Sequence, residues 1–152
     1  FQATLSAIWQ PKGKTIRVKT YSGQTKKSFY GALNLHTGRE HSMRCDTQCK
    51  AATKRFLRRL LKRYPRKRLG ILWDNAPWHK GLGEFLGTVR RIELIPFPPY
   101  SPELNPQEGI WKKARQAVSH NHRFRLFQKL LNAFTTYLKC TKFPTHFLKK
   151  HS

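Results

Sequence analysis

The stretch Leu69-Gly-Ile-Leu-Trp73 is a short apolar run, and Asp74 and Asn75 follow it directly. Short apolar runs between polar residues are typical of strands that are buried on both faces. We therefore predict a strand over 69–73. Its carboxyl end would carry Asp74, at the edge where open α/β sheets usually bind their ligands.

The residues before this run predict an antiparallel meander and one helix. Leu5–Trp9 could end a strand, the β-branched stretch Thr15–Tyr21 favours an extended segment, and the alternating residues Lys27–Leu35 predict a strand. The turn His36-Thr-Gly-Arg39 would lead into a returning strand over 40–44. Asp46 is the predicted N-cap of a basic amphipathic helix that ends at Pro65.

The residues after Asn75 predict a strand and three helices. The pattern favours a helix over 80–86, a strand over Ile92–Ile95, a helix from Pro106 to Ser119 and a helix from Phe124 to Lys139. This order predicts one α/β domain. Its mixed sheet would join the three-strand meander to parallel strands, with helices on the faces.

The composition of the chain predicts a polyanionic partner. Its 152 residues include 31 Lys and Arg but only seven Asp and Glu, which gives a formal net charge of +24. Nucleic acid is the favoured partner, because Lys and Arg displace counterions from phosphates. A membrane is disfavoured, since no apolar run reaches roughly 18 residues. Charge alone also permits a structural role of the ribosomal or histone kind. The odd number of cysteines, three, argues for a reducing compartment.

Two of the acids stand where chemistry could use them. Asp74 ends the predicted strand, and Glu108 lies 33 intervening residues later, in the first turn of the helix after a proline-rich loop. Carboxylates from a strand end and a nearby helix can share a hard cation such as Mg²⁺. Two such ions can clamp the attacking and leaving oxygens of a phosphodiester.

Ordinary structural roles stay open for the same residues. Glu108, three residues after Asn105, fits a capping box and is favoured by the helix dipole. Asp74 and Asn75 could form a simple turn, and His79 could be a packed histidine. The basic helix from Lys50 to Arg63 is most simply a solvated face.

Two long motifs together resemble the catalytic domain of DDE transposases, on the prokaryotic insertion-sequence branch of the Tc and mariner superfamily. The first motif is Ile71-Leu-Trp-Asp-Asn-Ala-Pro-Trp-His79. The second is Leu94-Ile-Pro-Phe-Pro-Pro-Tyr-Ser-Pro-Glu-Leu-Asn-Pro-Gln-Glu108, with Trp111 after it. The Trp9-x-Pro-Lys-Gly, Tyr30-Gly-Ala and Thr37-Gly stretches also look like the family.

The resemblance implies a ribonuclease H-like catalytic domain over residues 1–152 that cleaves DNA and transfers strands in cut-and-paste transposition. Asp74 would match the family's second acid and Glu108 the third, and together they would bind Mg²⁺ or Mn²⁺, two ions in the intact family site. Asn75 and His79 would support them. Residues expected to contact DNA are Lys80, Lys112, Lys113 and Arg115. The partners would be element-end and target DNA and a second copy of the chain, in the bacterial cytoplasm and at the nucleoid when DNA is bound.

The chain departs from the family at the first acid, which the family carries in a Phe-x-Asp-Glu context. The corresponding stretch here is Phe1-Gln-Ala-Thr-Leu5, and Asp46 is a poor substitute. We therefore expect a domain that lacks its N-terminal edge and an upstream helix-turn-helix region, and whose catalysis is impaired. A basic nucleic-acid-binding module without catalysis is the alternative. A ribonuclease H-like nuclease unconnected with mobile DNA is a third reading.

Overall fold

The computed structural model describes residues 27–73, 81–98, 105–119, 124 and 126–145. Within these ranges the chain alternates strands and helices as an α/β domain does. The elements are β1 (Ser28–Leu33), β2 (Glu40–Cys45), α1 (Lys50–Arg63), β3 (Leu69–Trp73), α2 (Gly83–Thr88), β4 (Ile92–Pro96), α3 (Pro106–Val118) and α4 (Phe127–Cys140). The strands predicted over Leu5–Trp9 and Thr15–Tyr21 lie outside the described residues.

Strands β1 and β2 form an antiparallel hairpin in which Gly31 lies opposite Ser42. The connecting turn is held by the Asn34 side chain, whose Oδ1 accepts hydrogen bonds from the backbone N–H groups of His36 (2.9 Å) and Thr37 (3.0 Å). Gly38 has φ 67°, a left-handed conformation that glycine adopts without steric cost. The predicted hairpin turn is therefore confirmed.

Strands β3 and β4 pair in parallel, with Ile71 opposite Leu94. The described residues thus contain two separate two-stranded sheets, and a single mixed sheet stays a prediction. Full burial of β3 on both faces is wrong for the described part of the chain. Gly70 is exposed and Leu72 is 38% exposed, because Leu69, Ile71 and Trp73 are the residues of β3 that pack against the core.

Helix α1 packs against both strand pairs and contributes to the core of each. Phe56 and Leu60 pack against Tyr30 and Met43 of the hairpin, whereas Leu57 packs with α2 and the β3–β4 pair. The opposite face of the hairpin is covered by α3 and α4. Its core residues are Ile110, Ala114, Val118, Leu130, Phe134, Leu138 and Phe143, with Phe29 and Leu33 packed against them. Each fully buried large side chain contributes about 1.5–3 kcal/mol by leaving water.

Three helix boundaries differ from the predicted ones. Helix α1 begins after Cys49 and not after Asp46, which is exposed and pairs with Lys27. Helix α2 begins at Gly83, since Gly81 has φ 72° and cannot belong to a right-handed helix. Helix α4 begins after Leu126, whose backbone is extended (φ −128°, ψ 134°). No helix in the described ranges is long and apolar enough to cross a membrane.

Candidate active site

A cleft of about 500 Å³ lies between the hairpin and the β3–β4 pair. Strands β1 and β3 line its sides, and the first turn of α3 lines one end. The residues that line it near these two ends include Trp73, Phe97, Asn105, Gln107, Glu108 and Trp111. The cleft therefore brings together the carboxyl end of β3 and the amino end of α3, which the sequence separates by the proline-rich loop.

The end of β3 is fixed by its parallel neighbour. Trp73 lies opposite Pro96, and the Phe97 N–H donates to the Trp73 carbonyl at 2.9 Å. Asp74 is the next residue in the sequence. The side chains of Asp74, Asn75, His79 and Lys80 lie outside the described residues, and their predicted roles stay predictions.

The first turn of α3 presents Glu108. Asn105 is the N-cap, and its Oδ1 accepts from the Gln107 N–H at 3.0 Å, while Pro106 takes the first helical position. The Glu108 N–H donates to the Asn105 carbonyl at 3.2 Å. The side chain of Glu108 is exposed and lines the cleft. Within the described ranges, the side-chain cap of α3 comes from Asn105, so the Glu108 carboxylate is available to a ligand.

Aromatic contacts hold α3 against α4 and β1. Trp111 stacks on Phe134 of α4, with ring centroids 5.9 Å apart and planes 14° apart, and its ring lies 6.1 Å from that of Phe29. Trp111 also packs against the core that α3 and α4 share. The helix that carries Glu108 is thus anchored on β1 and α4 together.

Gln107, one residue before Glu108, contacts a buried acid that sequence reasoning missed. Its Nε2 donates to Oε1 of Glu40 at 3.2 Å, and Glu40 is only 4% exposed. Burial raises the pKa of the Glu40 carboxyl from 4.5 to about 8, although the hydrogen bond from Gln107 opposes the rise. No local signal marks Glu40, because an acid directly after a turn is typical of solvent-exposed strand ends.

A second polar group lies on the cleft side of the hairpin. The hydroxyl of Tyr64 is 2.7 Å from His41 Nε2 and accepts from Asn34 Nδ2 at 2.8 Å. Burial lowers the pKa of His41, and the nearby cations Arg63, Arg39 and Arg59 lower it further. His41 is therefore a neutral hydrogen-bonding group near pH 7, and it also lines the cleft.

The remaining predicted residues are placed as follows. Lys112 and Lys113 are exposed on α3 within two turns of Glu108, and Arg115 is half-buried farther along the same helix. Asp46 does not line the cleft; the Lys27 cation beside it lowers its pKa. Asp46 is therefore not a candidate ligand at this cleft. Among the described residues no group of three or more His, Cys, Asp or Glu could hold a metal ion.

These features agree with the match to a protein family. The model of the DDE superfamily endonuclease family matches residues 2–131, which include both cleft-lining ends, β3 and α3. The chain belongs to this family. The resemblance to DDE transposases that the two motifs indicate is thereby confirmed.

Two relatives define the likeness further. The insertion element IS630 uncharacterized 39 kDa protein of Shigella sonnei is 28% identical over 130 residues, which are 84% of this chain and 38% of that protein. The structure of the Mos1 transposase paired-end complex with left transposon end has a TM-score of 0.66 at 17% identity. The match covers 92% of the present chain and 44% of the Mos1 transposase chain. At this identity the likeness is one of fold. The chain spans less than half the length of either relative.

Proposed function

We propose that this chain is the catalytic domain of an insertion-sequence transposase, which cleaves DNA strands and transfers them in cut-and-paste transposition. The observation that carries the proposal is the shared cleft: Trp73 at the end of β3 and Glu108 at the start of α3 both line it. Asp74 is the next residue after Trp73 in the sequence, and its carboxylate is proposed to meet that of Glu108 at this cleft.

We assign Asp74 and Glu108 as ligands of Mg²⁺ or Mn²⁺. The exposed Glu108 carboxylate fits such an ion, because hard divalent cations prefer carboxylate oxygens and no described cation pairs with it. When bound, a pair of such ions would neutralise charge on a phosphodiester and activate water. Asn75 and His79 would support Asp74 through polar contacts, and the stacked Trp111 would keep the helix of Glu108 in place.

The proposed polyanionic partner is DNA, both as element ends and as target. The net charge of +24 supports it, as does the exposure of Lys112 and Lys113 on α3, the helix whose first turn lines the cleft. Lys80 and Arg115 complete the proposed contact set. The fold relative is a paired-end complex with a transposon end, and by this analogy we propose that the chain works as a homodimer.

The finer fold proposal is a ribonuclease H-like arrangement, in which both strand pairs belong to one mixed sheet that includes the three-strand meander. Support comes from the likeness of the fold to the Mos1 transposase.

The test is Mn²⁺ binding, measured by isothermal titration calorimetry on the whole chain. We expect Asp74→Asn and Glu108→Gln each to weaken Mn²⁺ binding at least tenfold. Glu84→Gln is the matched control, because Glu84 is also an exposed glutamate in the first turn of a helix, α2, and should leave binding unchanged. Equal Mn²⁺ affinity in the parent chain and Glu108→Gln would contradict the assignment.

A nucleic-acid-binding module without catalysis is the second candidate. It is favoured by the net charge of +24, which supports nucleic-acid binding with or without a complete metal site. Nicking of supercoiled plasmid and of terminal-repeat DNA in Mg²⁺ separates the two functions. Robust nicking that Asp74→Ala abolishes supports the enzyme and refutes impaired catalysis. Salt-dependent DNA binding with neither nicking nor metal dependence supports the module.

A further inference from the structure

Three buried polar atoms lie around the backbone of Gly31 without a hydrogen-bond partner in the described part of the chain. They are Glu40 Oε2, Ser42 Oγ and Gln107 Oε1. A β-carbon at Gly31 would lie 2.3 Å from Gln107 Nε2 and 2.6 Å from Glu40 Oε1, so the carboxyl and amide groups both border the same backbone atom. Buried polar groups without partners are costly, and a native fold normally satisfies them.

The charge state of Glu40 decides how these atoms can be satisfied. An ionised carboxylate would only accept hydrogen bonds, and would leave Glu40 Oε2 and Gln107 Oε1 as two acceptors without a donor. A protonated acid supplies the missing donor at Oε2. A carboxylic acid and a primary amide can then form two antiparallel hydrogen bonds, of which the one from Gln107 Nε2 to Glu40 Oε1 is already present at 3.2 Å.

The surroundings of Glu40 favour the neutral form. From β1 and α3 it is covered by Gly31, Gln107 and Trp111, which carry no charge. On the same face of its own strand lie Ser42 and then Arg44, whose guanidinium is bound to α4. The titratable neighbours in sequence point elsewhere. Arg39 is exposed, and His41 contacts Tyr64 on the opposite face of the strand.

We propose that Glu40 is a positioning residue for Glu108: as a neutral acid it pairs with the Gln107 amide through two hydrogen bonds and holds the first turn of α3 against β2. This inference rests on the proposed function of Glu108 as a metal ligand. Because Gln107 directly precedes Glu108, movement of the pair would shift the backbone that carries the metal-binding carboxylate.

The pair makes stability depend on pH in a defined direction. Since the pKa of Glu40 is raised to about 8 on folding, the folded chain keeps a proton that the unfolded chain releases. The contribution of this group is complete below about pH 4.5 and is lost as the pH rises towards about 8. Above that pH, ionised Glu40 would face the Gln107 carbonyl oxygen and loosen the start of α3.

The first experiment compares urea unfolding of the parent chain and Glu40→Gln between pH 5 and 9. Glu40→Gln keeps an amide pair with Gln107 but does not titrate. We expect the ratio of the two unfolding constants, parent over variant, to rise about tenfold per pH unit until about pH 8, as one linked proton requires. An unchanged ratio across this range would overturn the neutral pair.

A double-mutant cycle tests the partner. Gln107→Leu and Glu40→Leu are combined at pH 5, and their effects on the unfolding constant should be non-additive by at least threefold. Additive effects would overturn the contact as a stabilising pair. Should either leucine variant fail to fold, the side-chain amide signals of Gln107 in the parent chain give the same answer, because they should shift with pH about a midpoint near 8.

The second experiment measures Mn²⁺ binding at pH 7 and pH 9. At pH 9 the parent chain should bind Mn²⁺ more weakly than Glu40→Gln does. Glu40→Ala should bind Mn²⁺ more weakly than the parent chain at pH 7 and more weakly than Glu40→Gln at both pH values. Glu40→Gln should keep the parent affinity at pH 7. Equal affinities in all three forms would overturn the positioning role. If no form binds Mn²⁺, the proposed function fails and the positioning role fails with it, while the unfolding series still decides whether the pair exists.

Discussion

A β-carbon at position 31 would lie 2.3 Å from Nε2 of Gln107, so the backbone of β1 and the first turn of α3 are in direct contact at Gly31. It would also lie 2.5 Å from Cζ2 of Trp111. Glycine at this position therefore allows the helix that carries Glu108 to approach the hairpin. This contact gives a physical reason for the glycine in the Tyr30-Gly-Ala stretch, which resembles the family.

Gly31→Ala should destabilise the chain by about 1–3 kcal/mol, because the added methyl group must displace Gln107 or Trp111. Gly70→Ala is the matched control in another strand, since its β-carbon would meet Ile95 Cδ1 at 3.5 Å, an ordinary contact. Urea unfolding of both variants measures the difference. Equal stability of the two variants would mean that the contact at Gly31 relaxes without cost.

Arg44→Lys should lower the free energy of unfolding by about 1–3 kcal/mol, because lysine cannot reproduce the forked hydrogen bonds of the guanidinium. Arg44 Nε donates to Thr135 Oγ1 at 3.0 Å, and Nη2 donates to the Leu131 carbonyl at 3.1 Å and to Asn132 Oδ1 at 3.0 Å. Arg59→Lys on the exposed face of α1 should change stability by less than about 0.5 kcal/mol. An unchanged free energy of unfolding in Arg44→Lys would show that the contacts of this side chain with α4 do not stabilise the hairpin.

Thr53→Val should lower the free energy of unfolding by about 1–3 kcal/mol. Valine has nearly the same shape as threonine but lacks the buried hydroxyl. Thr53 is fully buried, and its Oγ1 lies 2.8 Å from the Tyr30 hydroxyl and donates to the Cys49 carbonyl at 3.0 Å. Thr136→Val, at an exposed position of α4, is the control and should stay near the parent value. Thermal unfolding of the two valine variants checks this ordering.

Neutralising Lys112 and Lys113 together should reduce the salt dependence of DNA binding. If each contacts one phosphate, the slope of log affinity against log salt should fall in magnitude by about 1.8. Lys129→Gln with Lys139→Gln is the matched control, because both lysines are exposed on α4, whose residues do not line the cleft. Fluorescence anisotropy with a labelled duplex measures both slopes. An equal fall in the control would assign the effect to net charge alone.

Local sequence signals predicted β3, β4 and the start of α3 well, because each rests on residues that are adjacent or periodic. The apolar run ends at Trp73, and Pro106 follows the capping Asn105 at the first helical position. The same reasoning misplaced the start of α1. Asp46 is a good N-cap residue, but its carboxylate pairs with Lys27, and the helix begins after Cys49 instead.

Some residues of the candidate site could likewise be predicted from the sequence, and others could not. Glu108 and the position after Trp73 could be named from the motifs, and the structure brings residues 73 and 108 to one cleft. Glu40 could not be named, because its burial depends on Gln107, which is 67 positions away in the chain. A single acid after a turn gives no sign of the helix that will cover it.

By itself the sequence determined the order of strands and helices, the family motifs and the cationic character of the molecule, because these depend on neighbours, periods and composition. Only the tertiary structure decided that Gly31, Glu40 and Gln107 meet beneath the helix of Glu108, and that Asp46 does not reach the cleft. The physical reason is that desolvation and close packing arise between segments far apart in the chain, where no local pattern encodes the distance.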